Sequence, residues 1–439
     1  MSIRADAPAH NGERTVDAAL GGCDAFDLAR RFGTPLLVID EAILRARMAA
    51  FREAFRTADV TYAAKALMLK AIVRIAAEED LAVDVCSAGE LHTALRAGLS
   101  SDRCLMHGCF KTHDEIELAV STGVRYVVVD HRDEIAALDE VVRAHRKRQD
   151  VLVRVNPEIA TDTHEHVQTS GPDSKFGFAI ADGQAAAAIK LVMDAPGLAL
   201  AGIHCHIGSR IGDLCKYEEE IAALGRFARD CRASSGIAFG VVDIGGGIGV
   251  SERGEPAPTP SQWARVVFDA FERHFEIEGL ARPLIVVEPG RALVTQAGTS
   301  LYTIGVRKTL PDGTRALIVD GGLSDNPRPA LYDARYDVTL LKKARAQDPT
   351  TASASTTSPG EVFTVFGRHC EADRLFPDVN LDDPQPGDLL AVHNTGAYTY
   401  SMASNYNRFP RPAVVLARAG QAKLIARRES LGHMLDLDV

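Results

Sequence analysis

The feature that most restricts the fold is a beat of short Val/Ile-rich runs, each ending near Gly, Asn, Asp or Ser, that recurs eight times between residues 60 and 291. VTYAAK (60–65), AVDVCS (82–87), CLMHG (104–108), YVVVD (126–130), VLVRVN (151–156), LAGIHCHIGS (200–209), GVVDIGGG (240–247) and LIVVEPGR (284–291) read as strands. Stretches between them, such as GELHTALRAG and SQWARVVFDAFERHF, repeat apolar residues three and four apart, the spacing of a helix with one buried face. Eight alternations in about 230 residues predict a (β/α)8 TIM barrel rather than an open doubly wound sheet, which seldom needs eight units.

After Arg291 the helices stop. TSLYTIGVRK, ALIVDGG, VTLLKKA, EVFTVFGRHC, DLLAVHN, AVVLARAG and AKLIARR predict a separate C-terminal all-β domain over residues 292–439. The barrel takes 41–291, and residues 21–40 form a segment whose LLVID (36–40) joins the β domain. Residues 1–20 read as disordered, and the Ser/Thr/Pro-rich stretch 348–361 as a mobile loop, because strands of the same character continue on both sides of it.

Composition narrows the function. With 59 acidic against 49 basic side chains the net charge is -10, and Arg146, Lys147 and Arg148 make the one short basic run. That argues against nucleic-acid and anionic-membrane partners. No window nears 18 consecutive apolar residues and the N-terminus has no basic or apolar leader region, so the expected location is cytoplasmic. Eight cysteines without a C-x-x-C pair fit neither a zinc site nor a disulfide framework; most should be reduced, buried fillers, and no metal is expected.

A barrel of this kind does its chemistry at the C-terminal ends of its strands. Lys65 ends the first, Asp84 the second, His107 the third, His204 and His206 the sixth, Gly245 to Gly247 the seventh, and Glu288 with Arg291 the eighth. Each alone has a plainer explanation: a rim lysine can snorkel to water, and a glycine triplet can serve a tight turn. Closing the barrel makes strands one and eight neighbours. An amine, an anion cradle, an acid and a flat ring at one mouth describe a pyridoxal 5'-phosphate site.

YAAKA, DVCSAGEL, HCHIGS, DIGGGIG, EPGR, RPALYDA, GRHCE and GAYTYSMASNYNRFPRP follow the order and approximate separations found in the fold-type III pyridoxal phosphate decarboxylases. The chain resembles that family, its diaminopimelate decarboxylases above all, over roughly residues 25–439. The resemblance implies an alanine racemase-like barrel in which Lys65 bonds the cofactor's aldehyde, with Asp84 and Glu90 as polar neighbours. His206 stacks on the ring, Ser209, Gly246, Gly247, Arg291 and Tyr398 hold the phosphate or line its pocket, and Glu288 faces the pyridine nitrogen. Alanine racemases place Arg at that nitrogen; a carboxylate keeps it protonated and favours decarboxylation.

The resemblance further implies a homodimer with shared active sites, in which Cys370 and Glu371 reach the partner's site. Arg328 and Tyr332, with Arg291, bind the far carboxylate of an amino acid substrate, and Glu371 its far amino group. The implied reaction converts meso-2,6-diaminopimelate to L-lysine and CO2. Two departures from the family pattern lie near the expected pocket: Cys370 to Arg374 reads C-E-A-D-R rather than C-E-S-G-D, and Cys109-Phe110 replaces a more polar pair. They leave open a same-family decarboxylase acting on another amino acid, a D-amino acid or a specialised metabolite. A non-catalytic regulatory homologue is the remaining reading, against which the intact Lys65 argues.

Overall fold

The computed structural model describes residues 19–159, 170–171, 173–342 and 360–439. Eight parallel strands, Asp59–Ala63, Ala82–Val85, Cys104–Met106, Tyr126–Val129, Gln149–Asn156, Leu198–His204, Val241–Asp243 and Leu284–Val287, follow one another around a barrel. It closes where Leu284–Val287 pairs with Asp59–Ala63. Runs such as AVDV and YVVV are buried along their whole length, because a parallel sheet wrapped in helices hides both faces. Ala82, Leu105, Tyr126, Leu152, Val241 and Val286, from six strands, form a cluster separate from the larger core between strands and helices. The barrel is therefore packed solid below its mouth.

Helix starts set the loops above the mouth. Ser87 caps Ala88–Ala97, while Thr112 with Glu115 and Thr259 with Gln262 form reciprocal capping boxes on His113–Thr122 and Pro260–Phe271.

The β domain centres on the long strand Gly298–Thr309, which pairs antiparallel with Arg315–Val319, Leu389–His393 and Leu36–Asp40. Leu36–Asp40 in turn pairs parallel with Ala413–Arg418. One strand escaped sequence reading, Arg374–Leu381, because Pro377 interrupts its pattern. The proline is tolerated since this strand lies at the sheet edge and its pairing with Glu361–Phe366 slips register.

Ala19 and Leu20, assigned above to the disordered N-terminus, instead pair with Cys23 and Asp24 across a turn at Gly21 and Gly22, both at positive φ. The expectations for residues 1–18 and for most of the 348–361 loop lie outside the described residues. All eight cysteines are free, but four rather than most are buried: Cys23, Cys104, Cys205 and Cys231. Among the described residues no helix is long and apolar enough to cross a membrane.

Candidate active site

The β domain meets the barrel mouth at the turn that carries Lys65. The first strand tightens into a single helical turn, Ala64–Ala66, whose Ala66 carbonyl accepts from Tyr398 N (2.9 Å) and Ser401 Oγ (3.1 Å). Lys65 Nζ stands 3.8 Å from Asp84 Oδ2. Burial works against its charge, but Asp84, Tyr398 and Glu288 outweigh that and hold the ammonium above its ordinary value. Burial in turn pushes the Asp84 carboxyl up to about 6, against the pull of His107 and Lys65.

Beneath the lysine lies a buried quartet from four strand ends. His107 Nε2 is 2.8 Å from Glu288 Oε1, and His204 Nε2 is 3.4 Å from Oε2. The first contact attracts strongly, although the ring is not aligned for a hydrogen bond and both atoms lack a directional partner. Burial opposes ionisation of Glu288, yet the two histidines overcome it and hold the carboxyl well below its usual range. His107 is correspondingly raised, burial drops His204 to about 3, and burial together with the Glu288 charge drives Asp243 well up. Near neutral pH Glu288 is thus ionised with His204 neutral beside it, and Asp243 is biased towards its protonated form. The quartet's ligating atoms lie within 4.8 Å of one another, the one grouping among the described residues with donors suited to a cation.

Above this floor opens a cavity of about 250 Å³. Of the residues singled out by sequence, Lys65, His206, Ser209, Gly246, Gly247 and Glu288 line it from the barrel side. Arg291 lines it from just beyond the eighth strand, and Arg328, Tyr332 and Tyr398 from the β domain. The glycines are required by contact: a Cβ on Gly246 would sit 2.0 Å from the Glu288 carbonyl, and one on Gly247, at φ +97°, 2.0 Å from that of Gly208. His206 Nδ1 accepts from Gly246 N at 3.2 Å, and burial holds its ring neutral. Arg291 donates to Ser209 Oγ at 3.3 Å with its guanidinium 4.8 Å over the Tyr398 ring.

Four of the residues that the resemblance assigns to the site fall outside the lining. Asp84 is buried under Lys65, and Glu90 turns its carboxylate onto the Cys86 amide at 2.8 Å. Cys370 and Glu371 are exposed on this chain; Asn407 Oδ1 accepts from the Cys370 amide and the Tyr406 hydroxyl donates to Glu371. Neither departure from the family pattern lines the cavity of its own chain. Phe110 is 71% exposed, and Asp373 is buried with Oδ2 3.0 Å from His369 Nδ1.

Sequence reading missed Arg154, Phe176, Arg210 and Met402 in the lining, and Asp243 beneath it. Two had left a signal. Asp243 ends a strand as the named residues do, and Arg154 is a lone cation in an apolar run, paired with Asp130 at 3.6 Å and stacked on Phe176 at 4.3 Å.

The model of the pyridoxal binding domain of pyridoxal-dependent decarboxylases matches residues 41–295. Diaminopimelate decarboxylase from Bacillus subtilis is 39% identical over 96% of this chain and 94% of its own length. That from Actinosynnema pretiosum is 42% identical over 96% and 92%.

The chain belongs to the diaminopimelate decarboxylase family.

A solved member, from M. jannaschii in complex with L-lysine, superposes with a TM-score of 0.86 at 30% identity, covering 95% of each chain. The family is one of pyridoxal phosphate-dependent carboxy-lyases, and the cavity suits that cofactor on its own chemistry. It offers one amine, a buried carboxylate with an unmatched oxygen, and a backbone turn kept bare of Cβ atoms beside a serine and an arginine.

Proposed function

We propose that this chain removes CO2 from meso-2,6-diaminopimelate to give L-lysine, using pyridoxal 5'-phosphate. The observation that carries the reading is that one cavity is lined by an amine, a carboxylate and the arginines Arg210, Arg291 and Arg328. It suits a substrate that is an amino acid at both ends.

In this reading Lys65 would bond the cofactor's aldehyde carbon with loss of water, and His206 would lie against the ring. Ser209, Gly246 and Gly247 would hold the phosphate, with Arg291 and Tyr398 lining its pocket, and Glu288 would face the ring nitrogen. When bound, the cofactor supplies a ring that accepts the electron pair released as the bond to the carboxylate breaks. Glu288, held ionised by the histidines, keeps a proton on the ring nitrogen. Arg328 and Tyr332, with Arg291, take the substrate's far carboxylate, orienting the other end over Lys65. Lys65 or Cys370 returns one proton to the carbon that lost CO2, so charge balances.

We further propose a homodimer acting in the cytoplasm, with Cys370 and Glu371 of each copy completing the other's site. Its support is their exposure on a loop braced by Tyr406 and Asn407, away from their own cavity.

Carbon dioxide release from a panel of diamino and dicarboxylic amino acids tests the substrate, with meso-diaminopimelate expected to lead. Borohydride reduction followed by peptide mass spectrometry should place the pyridoxyl group on Lys65; recovery on Lys70 or Lys175 would sink the assignment.

A further inference from the structure

Glu252 stands on the loop after the seventh barrel strand, 3% exposed, and it does not line the cavity. Its carboxylate faces three arginines that do: it pairs with Arg210, lies 3.4 Å from Arg291 Nη1 and 3.7 Å from Arg328 Nη2. These come from three separate stretches, beyond the sixth strand, beyond the eighth, and in the β domain. We infer that Glu252 is a positioning residue that gathers Arg210, Arg291 and Arg328 into one receptor for the substrate's far carboxylate, an inference that rests on the proposed reaction.

The charge arithmetic requires such a group. An arginine cannot shed its proton at any working pH, so three in contact repel unless an anion lies among them. Burial and the neighbouring Arg328 already press Arg291 downward from its ordinary value. One glutamate offsets a single charge of three, leaving net positive charge on a wall in which Arg291 and Arg328 are buried and Arg210 reaches solvent. The excess faces an incoming anion. Arg328, only 2% exposed, keeps its Nε without a partner.

The backbone of Glu252 is held from both domains. Its amide donates to Glu255 Oε1 at 2.6 Å, and its carbonyl accepts from Asn394 Nδ2 of the β domain at 2.6 Å. The backbone that carries the carboxylate is therefore fixed, and three guanidiniums on longer stems converge on it, Arg328 tied as well to the Tyr336 hydroxyl at 2.9 Å. Arg291 is tied at the same time to Ser209 by its Nε, which leaves its reach limited. A bidentate fork built this way selects a planar carboxylate over an amine or a hydroxyl at the same place.

The test compares two ligands of equal chain length on the cofactor-loaded enzyme by calorimetry: L-lysine, which carries the far carboxylate, and cadaverine, which lacks it. Wild type should prefer L-lysine. In Glu252→Gln the L-lysine affinity should fall about 10-fold or more, the span of a lost charge-assisted hydrogen bond, while cadaverine affinity holds. The KM for meso-diaminopimelate should rise by a similar factor, with kcat changed far less. Should Glu252→Gln fail to fold, Glu252→Asp, which keeps the charge but shortens its reach, must still narrow the preference.

Equal losses for both ligands, or an undiminished preference in the folded variants, would overturn the role of Glu252 while leaving the reaction standing. If wild type itself releases no CO2 from meso-diaminopimelate and does not prefer L-lysine, the functional reading falls and this role with it.

Discussion

The floor and the wall of the cavity are each built around a buried glutamate, and they differ in what surrounds it. Glu288 sits among imidazoles and a carboxyl, groups whose charge their surroundings decide; Glu252 sits among guanidiniums, whose charge is fixed. The floor is accordingly where protons can be held or moved, and the wall is where charge is permanent. Depth alone makes neither. Glu220, on the helix Cys215–Ser235, is buried completely with no cation beside it, its polar neighbour being the weak Cys205 thiol, and burial pushes its carboxyl up to about 8. Three buried glutamates thus hold three different charge environments, set by their partners.

The largest effect expected concerns a third side of the cavity, which neither floor nor wall supplies. Lys65→Ala and Cys370→Ala should each be inactive, and mixing them under subunit exchange should restore about a quarter of wild-type turnover, since half the dimers are mixed and each has one intact site. If the two exchange subunits and the mixture stays dead, Cys370 serves its own chain or none.

The floor itself is probed by Glu288→Gln. It should retain cofactor yet lose roughly 10²-fold in kcat, because the charge it stabilises develops only as the bond breaks. A rise in KM with kcat intact would make the floor a second wall and dissolve the contrast.

The remaining effect is one of stability and leaves turnover untouched. Between pH 4.5, the ordinary value, and about 8 the folded chain keeps a proton on Glu220 that the unfolded chain has released. Stability from this group therefore falls as pH rises through that window, by at most about 1.4 kcal/mol per unit. Glu220→Gln should flatten that part of the profile in thermal unfolding and raise Tm at pH 8. An unchanged slope would mean that Glu220 is ionised in the fold.

The strand-end residues were legible because alternation of strand and helix tells which residue caps each strand, and caps face the mouth. Lys65, His206 and Glu288 follow from that rule, as Asp243 could have. Glu252 does not. It lies in a loop, S-E-R-G-E-P, that reads as solvated polar surface. Arg374–Leu381 was lost for another reason, since Pro377 argues against a strand unless the edge position and bulge are known. The substituted residues Phe110 and Asp373 do not line the cavity of their own chain: one faces solvent and the other lies against His369.

What the sequence determined by itself is the barrel, its order of chemical groups around the mouth, and the all-β domain after Arg291. These follow from periodicity and chain order, which are local properties. Which carboxylate is ionised, and which arginines converge, was decided only by the tertiary structure. Both depend on burial and on distances between side chains remote in the chain: Asn394, which pins the Glu252 carbonyl, is 142 residues away. Electrostatic energy follows separation in space and the loss of surrounding water, and neither is written in the order of residues.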